Sequence, residues 1–124
     1  MSEILIRYRV STRRSAELAL LIGAWLIGVF AWTLVEAATG NSSIGGWTSL
    51  VSAGVLLLIA HSFVRWLAPY ADPILLPCVA ALNMIGLAMI HRLDIAASQR
   101  AASNGSPAPT PDVYSQLTWM VVGL

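Results

Sequence analysis

Lysine is absent from this chain, cysteine occurs once, and charged residues make up only 10% of its 124 positions. Soluble domains carry about 25% charged residues, so the deficit argues against a water-exposed globule. All seven cations are arginine and the net charge is +1, which supplies no basic surface for nucleic acid. With Cys78 alone, neither an intrachain disulfide nor a cysteine-pair metal site can form. Also missing are the zinc-protease pattern HExxH, a glycine-rich phosphate loop and a nucleophile elbow. No motif builds a catalytic or metal site unaided, and no cofactor is expected.

What the chain has instead is apolar content, 57% of residues with a mean hydropathy of +0.74, and it comes in blocks. Blocks of this length are the mark of membrane spans. The predicted class is all-α, a polytopic bundle of three full spans and the start of a fourth. Residues 1–15 mix apolar side chains with Arg7, Arg9, Arg13 and Arg14, as a cytoplasmic juxtamembrane segment on anionic lipid would. The first span is expected over Ala16–Ala37. Its uncharged run Leu18–Val35 rises about 27 Å, close to the roughly 30 Å hydrocarbon core and longer than a signal-peptide core. Ala24 and Gly28 form a small-xxx-small pair suited to helix packing, and Glu17 and Glu36 stand at the two ends, where carboxylates reach headgroups and water.

A turn-rich stretch, Ala38–Gly46, leads into a second span over about Trp47–Leu67, where His61 and Arg65 share a face one turn apart. Pro69 and Pro73 bound a tight connection, and a third span follows over about Pro73–Arg92. Asn83 falls near its middle, where a carboxamide needs a partner and is expected to bond to a neighbouring helix. The span closes on His91, Arg92 and Asp94. Ala96–Asp112 reads as a flexible polar loop, and Val113–Leu124 as an apolar run of about 18 Å, too short to cross. The chain therefore reads as a piece of a longer protein. Arginine placement puts the N terminus inside, with Arg7, Arg9, Arg13, Arg14 and Arg65 on the inner side against Arg92 and Arg100 outside. On that topology His61 and His91 face opposite membrane surfaces and cannot pair. Arg92 and Asp94, two apart, point to different helix faces unless the helix ends between them.

Leu82–Asp94 (LNMIGLAMIHRLD) and Tyr114–Leu124 (YSQLTWMVVGL) together resemble the opening of the SEDS family, the shape, elongation, division and sporulation group that includes RodA and FtsW. Gly86, Leu87 and Met89 match the family's first core helix, and Gln116, Trp119, Gly123 and Leu124 match its Q-x-x-W-x-x-x-G-L helix start. The His91-Arg92-Leu93-Asp94 ending departs from the commoner Tyr-Ser-Ala-Ser. It is similar to a RodA-like branch with two extra N-terminal helices, which Leu76, Pro77, Leu82 and Asn83 also fit. The resemblance divides the chain into residues 1–15, two extra helices over 16–67, and the start of the family core over 68–124. It implies a parent in the plasma membrane that polymerises lipid II into glycan strands for cell-wall elongation or division. The implied partner is a class B penicillin-binding transpeptidase, alongside membrane lipids. The family's key acidic residue lies in a late outer loop to which no carboxylate here corresponds, so no catalytic residue is carried over and this piece alone is expected to be inactive. Arg92 and Asp94, at the outer face, are the candidates for substrate contact. By the residues alone, a small multi-helix exporter or a non-enzymatic scaffold remains open.

Overall fold

Helices α1 (Arg14–Thr39), α2 (Ile44–Leu67), α3 (Leu75–Ser103) and α4 (Asp112–Val122) follow one another in the computed structural model, which describes residues 14–40 and 44–123. The juxtamembrane segment expected over residues 1–15 lies almost wholly outside the described residues, and Leu124 lies outside them too. The first three helices are long and apolar enough to cross a membrane. Leucine, isoleucine and phenylalanine side chains such as Leu26, Ile27, Phe30, Leu58, Phe63 and Leu82 face outward along them, as lipid-exposed surfaces require. The protein is a multi-pass membrane protein of all-α class.

Local sequence explains where the helices stop. Gly40 follows α1 at φ 64° and Gly105 follows α3 at φ 65°, the left-handed conformation that glycine adopts without a Cβ penalty. At the end of α3, Ser106 N–H donates to Ala101 O and Gly105 N–H to Ala102 O, which satisfies carbonyls the helix leaves open. Before α3, Asp72 Oδ1 accepts the Ile74 N–H at 3.0 Å, and Pro77 sits in the first turn, where a missing N–H costs nothing.

Helix α1 extends two residues beyond the expected span at each end and α2 begins at Ile44 rather than Trp47, but the larger difference is in α3. The third helix starts at Leu75 rather than Pro73 and continues past Arg92 to Ser103. At 1.5 Å per residue it is about 43 Å long, so roughly 13 Å of it projects beyond a 30 Å core. The projecting part contains Ala96, Ala97, Gln99, Arg100, Ala101 and Ala102, all good helix formers, and its polarity alone suggested a loop. The connection to α4 is thereby reduced to Asn104–Pro111.

α1 and α3 run parallel and form the main seam. On α1 the buried positions Glu17, Leu21, Ala24, Gly28 and Trp32 recur every three or four residues, one stripe of a helix. On α3 the matching stripe is Ala80, Met84, Leu87, Ala88 and His91. Gly28 lets the backbones close: a Cβ there would stand 2.6 Å from the Cβ of Met84. α2 runs antiparallel alongside them and adds Leu50, Ala53 and Leu57 to the same core, while α4 contributes Val113. Trp25, a span-interior tryptophan, donates its indole N–H to Leu50 O at 3.1 Å and lies against Gly54, where a Cβ would meet Nε1 at 2.8 Å.

Candidate functional site

Polar side chains gather at the two ends of this bundle. At the end carrying the start of α1 and the close of α2, Glu17 is fully buried. His61 Nδ1 lies 3.0 Å from its Oε1, and Arg65 forms an ion pair with its Oε2. Arg65 also donates to Pro69 O at 3.3 Å and so ties down the α2–α3 connection. The headgroup-solvated placement expected for Glu17 is thus replaced by a buried ion cluster. The reason is topological: antiparallel α1 and α2 bring residues 44 positions apart to the same end. A carboxylate withdrawn from water must be paired, and the Arg65 guanidinium supplies the charge while the His61 imidazole stands within hydrogen-bond distance.

At the opposite end, Trp32 of α1 stacks on His91 of α3 with ring centroids 3.7 Å apart and planes within 9°. The Trp32 indole N–H donates to Glu36 Oε1 at 3.1 Å, so Glu36, also expected at the headgroups, is folded back into the protein. His91 Nε2 stands 3.7 Å from the same oxygen and has no hydrogen-bond partner. One turn further along α3, the Asp94 carboxylate accepts the Asp112 N–H at 3.0 Å and the Val113 N–H at 3.2 Å. Pro111, at the N-cap position of α4, has no side-chain acceptor to offer. Asp94 replaces it from another helix and also places an anion at the positive end of α4. Between these groups lies a cavity of about 280 Å³, lined by Ser49, His91, Asp94, Ser98 and Tyr114 among others.

Arg92 lies exposed on α3 and makes no hydrogen bond or ion pair among the described residues. Because the helix runs on through both positions, Arg92 and Asp94 stay on different faces and do not meet. Leu87 is buried in the core, Met89 is exposed, and Gly86 has open space where a Cβ would go. Gln116, Trp119 and Gly123 line one groove of about 360 Å³ with Asn83, between α2, α3 and α4. The Asn83 amide donates to Val79 O in its own helix at 3.1 Å rather than to a neighbour. Ala24 and Gly28 lie in the α1–α3 seam. No cluster of three metal-ligating side chains occurs among the described residues.

Neither the ion cluster nor the Trp32–His91 stack was foreseen from sequence. The signal for the first was present, since ionisable groups within spans pair with one another. For the second there was none, because nothing in the spacing links Trp32 to a residue two helices away.

Among curated proteins, the chain is 40% identical over 117 residues to peptidoglycan glycosyltransferase RodA of Mycobacterium tuberculosis, a match that takes in 91% of this chain. The RodA proteins of Mycobacterium bovis and Mycobacterium leprae match at the same identity and coverage. The chain spans about 23% of the length of these relatives. No family model matches. No solved structure matches either. Identity at this level across nearly the whole chain, carried on three helices long and apolar enough to cross a membrane, makes the chain a RodA/SEDS-like fragment.

Proposed function

We propose that this chain is the opening membrane portion of a RodA-like peptidoglycan glycosyltransferase, which polymerises lipid II for cell-wall elongation or division. The observation that carries this reading is the 40% identity to RodA over 91% of the chain. The parent sits in the plasma membrane with its N terminus inside and works with a class B penicillin-binding transpeptidase. In this orientation Glu17, His61 and Arg65 form the inner end of the bundle, and Glu36, His91 and Asp94 the outer end. Arg92 is the candidate for direct contact with the lipid-linked substrate, because a free guanidinium matches phosphate bidentately. Asp94 acts beside it by holding the start of α4, the helix that carries Gln116 and Trp119. Catalytic residues belong to parts of the parent outside these residues. An exporter is disfavoured by Glu17, whose carboxylate is held by an arginine and so is not free to carry protons.

A chimera tests the assignment. Residues 1–124 replace the matching segment of Mycobacterium tuberculosis RodA, and lipid II polymerisation is measured on purified protein. Glycan strands at near the parental rate are expected, and a well-expressed, folded but inactive chimera refutes the reading. Orientation is tested separately with cysteine at Ser103, which should react with an impermeant thiol reagent from outside; labelling only after lysis reverses the topology.

A further inference from the structure

We propose that Thr110 is a glycosylation site, its hydroxyl accepting a hexose from a polyprenyl-phosphate donor at the outer membrane face. The proposal rests on the orientation given above, in which the connection between α3 and α4 lies outside. Every residue of Asn104–Pro111 is exposed, and Ser106–Pro111 forms no helix, turn or ladder. Its composition, Ser-Pro-Ala-Pro-Thr-Pro, explains why. Pro107, Pro109 and Pro111 have fixed φ angles and push Ser106, Ala108 and Thr110 before them into extended backbone. Pro111 itself stands at φ −63° and ψ 129°. The segment is pinned at both ends, by Ser106 N–H donating to Ala101 O at 2.9 Å and by Asp112 N–H donating to Asp94. A pinned, extended segment is preorganised for an enzyme to grip, and little ordering cost remains.

What the segment presents is a hydroxyl. Thr33, Thr39, Ser52, Ser62, Ser103 and Thr118 turn theirs back onto helix carbonyls, whereas Thr110 makes no hydrogen bond among the described residues. No charged residue lies between Arg100 and Asp112, so the segment offers no charge to recognise. Its prolines do not suit an aromatic groove either. A polyproline helix has three residues per turn, so prolines two apart never share a face. Hydroxyl residues among prolines in a surface segment are the composition that carries O-linked sugars. Ser106 is the poorer acceptor, since its N–H is held to α3, while Thr110 has proline on both sides. Nucleotide sugars are multiply charged and do not cross the hydrocarbon core, so a donor at the outer face is lipid-linked. The bond from Thr110 Oγ1 to the anomeric carbon forms as the bond from that carbon to the phosphate oxygen breaks. The hydroxyl proton passes to a base of the transferase, polyprenyl phosphate leaves, and nothing is oxidised or reduced.

The test takes the parent protein from the membranes of its own cells and digests it with trypsin and chymotrypsin. Cuts after Arg100 and Tyr114 release Ala101–Tyr114, and electron-transfer fragmentation keeps sugars on their side chains. The expected result is a mass gain of one or more hexose units on this peptide, localised to Thr110. The gain should be lost in Thr110→Val and kept in Thr110→Ser, both at an exposed side chain whose loss breaks no contact of the fold. An unmodified peptide, or sugar on Ser103 or Ser106 with none on Thr110, overturns the proposal. Cysteine at Ser103 is labelled in parallel. Labelling from outside with no sugar at Thr110 refutes glycosylation alone, whereas labelling only after lysis refutes the orientation and the proposal together.

Discussion

Replacing Gly28 by alanine should destabilise the bundle, and replacing Gly23 by alanine should not. Both glycines lie on α1, and each substitution gains a similar helix-propensity term of up to about 1 kcal/mol, which cancels in the comparison. What differs is the space. A Cβ at Gly23 meets nothing within 4 Å, whereas at Gly28 it lands 2.5 Å from Met84 Cε and 2.6 Å from Met84 Cβ. The flexible Cε can swing away, but the Cβ is fixed to the α3 backbone, so the helices must separate by roughly 1 Å. Met84 is fully buried, and overpacking at such a site costs about 1–3 kcal/mol. That is the expected difference between the two variants, read by reversible unfolding in mixed detergent micelles. A second substitution locates the strain. Met84→Ala removes Cγ and Cε but leaves the Cβ in place, so it should not rescue Gly28→Ala, whereas Met84→Gly should relieve the clash. If Gly28→Ala and Gly23→Ala agree within about 0.5 kcal/mol, the close approach of α1 and α3 is wrong.

Breaking the buried ion cluster by Arg65→Leu alone should cost about 3–5 kcal/mol, since it strands the Glu17 carboxylate with only His61. Glu17→Leu combined with Arg65→Leu should recover most of that loss in the same unfolding assay. A double variant as unstable as the single one rules out stranded charge as the cause. Asp94→Ala should leave the first three helices intact and loosen α4 by about 0.5–2 kcal/mol, the usual cost of a lost helix cap. Hydrogen exchange at the Asp112 and Val113 amides reads this directly, and unchanged protection there contradicts the capping role.

These sites mark where the sequence was and was not legible. The three spans could be read because a membrane core imposes a minimum apolar length, and that length is a property of each segment alone. The extension of α3 to Ser103 could not, because Ala96–Ser103 is polar enough for a loop and alanine-rich enough for a helix. The alanines win, and the helix runs to its stop at Asn104-Gly105. The polar clusters fall between these cases. Strictly alternating spans put the start of α1, the end of α2 and the start of α3 on one membrane face, so Glu17 and Arg65 had to share an end once the helices were counted. What topology could not supply was depth. A carboxylate near a helix end can reach outward to water or be drawn in by a partner, and the choice depends on whether a neighbour brings compensating charge. At Glu17 the Arg65 guanidinium does, whereas at Glu36 an indole N–H supplies a hydrogen bond without charge. The two ends therefore differ in kind. The Glu17 end is an ion pair sealed inside the bundle and acts as a clamp, whereas the Glu36 end pairs its carboxylate with an indole N–H and opens beside a cavity lined by His91 and Asp94. A polar end that opens on a cavity can receive a ligand and a sealed ion pair cannot, which is why function is to be sought at the Glu36 end rather than at the more heavily charged one.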